Sequence, residues 1–147
     1  MRFDSPSTGS PLSELVLAAC DALNEEFNRG RVCAEFDFHD NPIIDLNPNH
    51  IIAAVRLIVE QAIGLTPPER SLLITTTTGT ECWEIEVADG GDGKATDDSR
   101  ASGPLTVFRL HQTIRPFGGR VEICRCAQGG QAITLVGPLT RRRGNAA

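Results

Sequence analysis

No stretch of the 147-residue chain reaches about 18 consecutive apolar residues, so nothing in it reads as a membrane span. Residues 1–11 lack the basic-then-apolar layout of a secretory leader, and the chain reads as cytoplasmic. Basic charge is scarce. Fourteen Lys and Arg stand against 19 Asp and Glu, and the net charge of −5 argues against nucleic acid as the main partner. The one basic cluster, Arg141-Arg142-Arg143, lies in a tail ending Gly-Asn-Ala-Ala and reads as a solvated terminus. The five cysteines contain no C-x-x-C pair, and an odd number without an export signal reads as free thiols, mostly buried. Cys124 and Cys126 would share one side of a strand, with too few further ligands nearby for a metal. The three histidines, His39, His50 and His111, read as surface or packing residues. No Ser/His/Asp or Cys/His pairing suggests a nucleophilic enzyme, and no internal repeat is present.

Hydropathy patterning gives the elements. Ser10-Pro11 looks like a cap with proline at the first helical position. Leu12, Leu15, Val16, Ala19, Leu23 and Phe27 then follow at helical spacing, predicting a helix over about 12–28 closed by Gly30. Residues 31–38 alternate, with Val32, Ala34, Phe36 and Phe38 on the buried side. Asn47-Pro48 repeats the cap-and-proline signal and opens a helix over 48–64, which Thr66-Pro67-Pro68 cannot continue. Strands follow at 71–78 and 82–88, then a polar loop at 90–103. Pro104 starts a third helix to about 116, with Leu105, Phe108 and Ile114 inward. A terminal hairpin, 120–125 and 131–136, turns at Gly129-Gly130. Short turns between most strands predict antiparallel pairing. The whole reads as an α+β fold, a two-layer sandwich with a mixed sheet and helices on one face. The domain spans 12–139, between a flexible leader (1–11) and a basic flexible tail (140–147).

The most informative segment is Ile85-Glu-Val-Ala-Asp-Gly-Gly-Asp-Gly93. A strand runs into one carboxylate, Asp89, followed by glycines that let backbone come close to a ligand. An acceptor-only carboxylate at a strand end suits a ligand amino group, as in an adenine pocket.

Several matches in order give this chain a resemblance to the GHKL (Bergerat) ATP-binding fold, in particular the catalytic domain of sensor histidine kinases. Asn47-Pro48-Asn49 stands where that family has Asp-Pro-Asp, and Leu57-Ile58-Val59-Glu60-Gln61-Ala62 where it has Asn-Leu-Leu-Glu-Asn-Ala. Asp89-Gly90-Gly91-Asp92-Gly93 is similar to its first glycine box, and Phe117-Gly118-Gly119-Arg120-Val121-Glu122 to its His-Gly-Gly-Arg-Ile-Glu. Gly130 through Pro138 resembles its closing strand, Gly-Thr-x-Phe-x-Leu-x-Leu-Pro. The resemblance implies ATP or ADP bound at Asp89, Gly91, Gly93, Gln61, Gly103 and Thr106, with Glu60 as the acid of the helix motif. It implies Mg²⁺ near Gln61.

The phosphate and metal features are eroded. The family places asparagine, asparagine and a basic residue where this chain has Leu57, Gln61 and Gly64. Leu57 offers nothing to a hard cation, and Gln61 is a methylene longer than asparagine. Pro104 removes a backbone donor, and Thr106 adds a Cβ where the second glycine box would receive phosphates. Ala132 is read at the place of a ligand-facing threonine. About ten residues precede the first helix, and no histidine has the context of a phospho-acceptor. The expected function is a histidine-kinase-like ATP-binding domain of bacterial signalling with weak or no turnover. The alternative is a non-catalytic interaction module whose partner is a response regulator or kinase.

Overall fold

The central helix begins where proline and asparagine dictate. Asn47 Oδ1 accepts from Asn49 N at 2.9 Å, and Pro48 needs no partner for an N–H it lacks. From Pro48 to Leu65 this helix, α3, buries Ile51, Ala54, Val55, Ile58, Val59 and Ala62 along one stripe. Each such Ile or Val contributes roughly 1.5–3 kcal/mol on burial. These features come from a computed structural model that describes residues 9–91, 104–126 and 129–139, with backbone alone for 104–106.

The segment predicted as one helix over 12–28 forms two, α1 (Leu12–Asp21) and α2 (Asn24–Gly30). The break comes at Leu23, whose N–H bonds Cys20 O at 2.9 Å in a tightened turn while its side chain drops into the core at 1% exposure. Gly30 does not close the helix. Arg31 takes the left-handed position at φ 55°, and Gly30 instead lets α2 approach α3, since a Cβ there would lie 3.3 Å from Ile63 Cγ2. Ser10 is not the cap of α1 either. Ser10–Pro11, read as the end of the leader, form a short strand β1, which pairs antiparallel with β3 (Ile43–Ile44). The first helical donors are met by the neighbouring loop: Leu12 N bonds Pro42 O at 2.9 Å and Ser13 N bonds Asn41 Oδ1 at 2.7 Å.

The remaining strands, β2 (Cys33–Phe38), β4 (Ser71–Thr78), β5 (Cys82–Ala88), β6 (Arg120–Arg125) and β7 (Gln131–Pro138), form one five-stranded sheet in the order β2-β4-β5-β7-β6. The sheet is mixed. β2 and β4 are parallel, joined by the α3 crossover, and every other pair is antiparallel. Strand alternation puts Leu72, Ile74 and Thr76, then Trp83, Ile85 and Val87, then Ile133 and Leu135 under the helices. α4 (Pro104–Ile114) continues into a 3₁₀ turn, Arg115–Phe117. α1, α3 and α4 pack side by side, with α3 in the middle.

Edge position explains where side-chain expectations miss. Phe36 is 39% exposed because β2 has a strand on one side only. Phe108 is 57% exposed because Leu110, Ile114 and Phe117 define the buried side of α4. Thiols were expected to be mostly buried. Cys20 is, but Cys33, Cys124 and Cys126 are exposed. Cys33 and Cys124 lie on the edge strands, on the sheet face that the helices do not cover.

Candidate functional site

β5 alternates Trp83, Ile85 and Val87 towards the helices, and Asp89 continues that side one step past the strand. The ladder with β7 also continues. Asp89 N bonds Gln131 O at 3.0 Å, and Gln131 N donates back to Asp89 Oδ2 at 3.0 Å. Gly91 N donates to the other oxygen, Asp89 Oδ1, at 2.8 Å. Two charge-assisted backbone bonds thus fix a carboxylate at the sheet edge of the helix layer. Each oxygen keeps a second lone-pair direction for a ligand donor.

The glycines are a condition of that geometry. A Cβ on Gly91 would lie 2.8 Å from Asp89 Oδ1 and 2.9 Å from Leu65 O. Gly130, at φ +83°, would place a Cβ 2.7 Å from the same Oδ1. Both close in on the carboxylate more tightly than any side chain permits.

The loop after Asp89 is bolted to the end of α3. Thr66 Oγ1 donates to Ala62 O at 2.7 Å and accepts from Gly90 N at 3.0 Å. Arg70 Nη1 donates to Gly90 O at 3.1 Å. Gln61, one turn earlier on α3 and 9% exposed, reaches across to β7, its Nε2 donating to Gln131 Oε1 at 3.4 Å. Asp89, Gly91 and Gln61 therefore converge, through Gln131. Glu60, one residue back, is exposed on α3. Leu57 packs against the core, and Gly64 has open space where a side chain would be. Gly93 and Gly103 lie outside the described residues. Thr106 sits in the first turns of α4, which opens at Pro104 as expected, and its side chain is likewise not described.

Protein-family models and curated proteins give no match to the sequence. Solved structures do. The catalytic domain of histidine kinase ThkA superposes with a TM-score of 0.74 over 92% of this chain and 97% of its own, at 14% identity. Histidine kinase AdeS of Acinetobacter baumannii gives 0.72 over 96% of this chain and 70% of its own, at 16% identity. The mycobacterial sensor histidine kinase MprB gives 0.70 over 88% and 95%, also at 16% identity. The fold is that of histidine-kinase catalytic domains.

Within this histidine-kinase fold three residues of the site escaped sequence reasoning. Thr66 and Arg70 act through one loop residue, Gly90, and no motif marks such contacts. Gln131 had a signal. In the closing-strand match, Gly130 is followed by Gln131 at the family's threonine, so the threonine position is Gln131 and not Ala132. Ala132 pairs with Ala88 and Cys124 on the other face of the sheet, because a shift of one residue reverses the side of a strand.

Among the described residues no three His, Cys, Asp or Glu groups converge on one point. Two thiols are perturbed: burial, with Asp21 adding repulsion, pushes Cys20 up to about 11 from 9.0. Cys126, whose N–H bonds Gly130 O at 3.0 Å, is also raised, by desolvation first and then by Asp89, Glu86 and Cys124.

Proposed function

We propose that this chain is an adenine-nucleotide-binding domain of histidine-kinase type in bacterial signal transduction, with base recognition kept and phosphate handling reduced. The observation that carries this reading is the Asp89 carboxylate, held by Gly91 N and Gln131 N with acceptor capacity left over. An exocyclic amino group is the complement of such an acceptor. Asp89, Gly91 and Gly93 would meet the base. Gln61, Gly103 and Thr106 would lie towards the phosphates. Glu60 would be the acid beside them, in the role that the family motif gives it.

The phosphate end supports weak handling. Gly64 brings no charge, Leu57 packs inward, and Pro104 brings no N–H to the start of α4. Among the described residues of that α3 face, Mg²⁺ would find the carbonyl oxygen of Gln61, whose amide is also engaged by Gln131. Losing one charge-assisted contact costs roughly 1.5–3 kcal/mol, so two or three losses weaken phosphate binding about a thousandfold or more. Titration of ADP and ATP by calorimetry, with and without Mg²⁺, tests the reading.

A second reading, a non-catalytic module that binds a response regulator or kinase, is favoured by Phe108. This large apolar side chain is 57% exposed on α4. Loss of co-purification with a signalling partner on Phe108→Glu, with nucleotide binding unchanged, would support it.

A further inference from the structure

β6 ends the five-stranded sheet, and its outer edge has no neighbouring strand among the described residues. The bonds of β7 fix which groups that edge carries. Gln131 O accepts from Asp89 N on the β5 side, and Gly130 O accepts from Cys126 N on the β6 side. Antiparallel ladders alternate, so the bonds between β6 and β7 fall at Arg120, Glu122 and Cys124, opposite Val136, Thr134 and Ala132. Val121, Ile123 and Arg125 therefore turn their N–H and C=O groups to the open edge. No proline interrupts the strand, and Ile123 is 45% exposed. The helix layer is open at the same end. α4 packs on α3 and over β6 as the outermost helix there, and its Phe108 is 57% exposed.

We propose that β6 pairs antiparallel with β6 of a second copy of this chain, about a two-fold axis at Ile123, joining the two sheets into one. The residues choose the register. Centred on Ile123, it bonds the outward groups of Ile123 to those of Ile123 in the second copy, and Val121 to Arg125 in both directions. The two isoleucines then cover each other's exposed apolar surface. On the face that the helices leave open, Glu122 stands opposite Cys124 and Arg120 opposite Cys126, so no like charges stand directly opposite. An axis at Glu122 would set that carboxylate against itself. The far end of the sheet is different. β2 also has an open edge and an exposed Phe36, but it carries Glu35 and Asp37 on one face. Two-fold axes at Glu35, Phe36 or Asp37 all bring carboxylate against carboxylate, which is destabilising. Such charges keep an edge from pairing with its own kind. In β6 the corresponding acid is already neutralised within the strand, with Arg120 Nε 3.2 Å from Glu122 Oε2.

Sedimentation equilibrium of the full chain over a range of concentrations tests the pairing. The wild type is expected to be a monomer–dimer mixture, with dimer predominant at about 100 μM and above. Ile123→Lys sets two ammonium groups opposite each other and should weaken the dimer by about tenfold or more. Ile123→Pro removes an N–H that the ladder with β7 does not use, so it should fold, as urea unfolding checks, and stay monomeric. Phe36→Lys, on the other edge, should dimerise like the wild type. Glu122→Cys treated with glutathione disulfide should give a covalent dimer through Cys124 of the second copy. The Cα atoms of such a non-hydrogen-bonded pair lie about 4.5 Å apart, within the disulfide range. Adding Cys124→Ser should remove that link. A wild type that stays monomeric at about 100 μM overturns the proposal. So does a dimer unchanged in both Ile123 variants, a dimer lost in Phe36→Lys but kept in Ile123→Lys, or a link that survives Cys124→Ser. None of these results bears on the nucleotide reading.

Discussion

Replacing Gly130 by alanine imposes two separable costs, and a second glycine isolates one of them. Gly130 has φ +83°, where an L side chain costs about 1–2 kcal/mol. Its new Cβ would also lie 2.7 Å from Asp89 Oδ1, so the carboxylate must move off the Gly91 N–H that it now accepts at 2.8 Å. Losing a backbone bond to a charged group costs about 1.5–3 kcal/mol more. Gly118 has a similar φ of +74°, but nothing lies within 4 Å of where its Cβ would be. Gly118→Ala should therefore cost only the first amount, about 1–2 kcal/mol. Gly130→Ala should cost about 2.5–5 kcal/mol. Urea unfolding of the two variants at neutral pH measures both, with the denaturant slope checking that each unfolds in one step. ADP titration should separate them again, Gly130→Ala losing affinity and Gly118→Ala keeping it. Equal destabilisation by the two substitutions would refute the claim that the glycine at 130 is there to make room for the Asp89 carboxylate.

Other consequences follow from single residues. Gly64→Ala on α3, where the new Cβ meets nothing within 4 Å, should stabilise the fold by roughly 0.5–1 kcal/mol in the same urea assay, and destabilisation would contradict the geometry. Cys20 should resist iodoacetamide in the folded protein at pH 8 while Cys33 and Cys124 react, as read by mass spectrometry of native and denatured samples. Its raised pKa also sets a direction for stability. The neutral thiol is favoured in the folded state, so its contribution is complete below pH 9.0 and is lost as pH rises towards about 11. The urea midpoint of the wild type should fall over that window more steeply than that of Cys20→Ala. Purified chain incubated with labelled ATP should acquire no acid-labile phosphate, because α4 begins at a proline without an N–H and the α3 face carries no charge at Gly64. Stable, acid-labile label would restore a catalytic reading.

Much of the frame was legible because period and punctuation agree in it. β4 and β5 fall at 71–78 and 82–88 as read, since alternating Leu, Ile and Thr are bounded by proline on one side and Gly79 on the other. α3 carries an asparagine cap, a proline and a proline stop, and it ends one residue beyond expectation. The first helix was misread because a continuous apolar stripe from Leu12 to Phe27 is equally served by two helices meeting at a buried Leu23. Local spacing cannot encode that meeting, because α3 and the sheet decide it. The cap of α1 was unreadable for a related reason: its partner, Asn41, lies 28 residues away from Ser13. Within the site, Asp89 and Gly91 stood out because a strand running into acid and glycines is a local signal. The contacts that hold this loop come from Thr66 and Arg70, in the connection after α3, and from Gln131 on β7, two segments distant in sequence. The fold alone brings these together.

The central claim is that Asp89 receives the amino group of an adenine nucleotide at a site poor in metal and phosphate contacts. Calorimetric titration of ADP into wild type and Asp89→Asn, each with Mg²⁺ and with EDTA, tests it most directly. The amide that this substitution introduces has one acceptor oxygen for two backbone N–H groups and turns a donor towards the base. The account predicts measurable ADP binding by the wild type, little changed by EDTA, and a loss of about tenfold or more in the variant. Unchanged affinity in Asp89→Asn, or binding that vanishes when Mg²⁺ is removed, would contradict it.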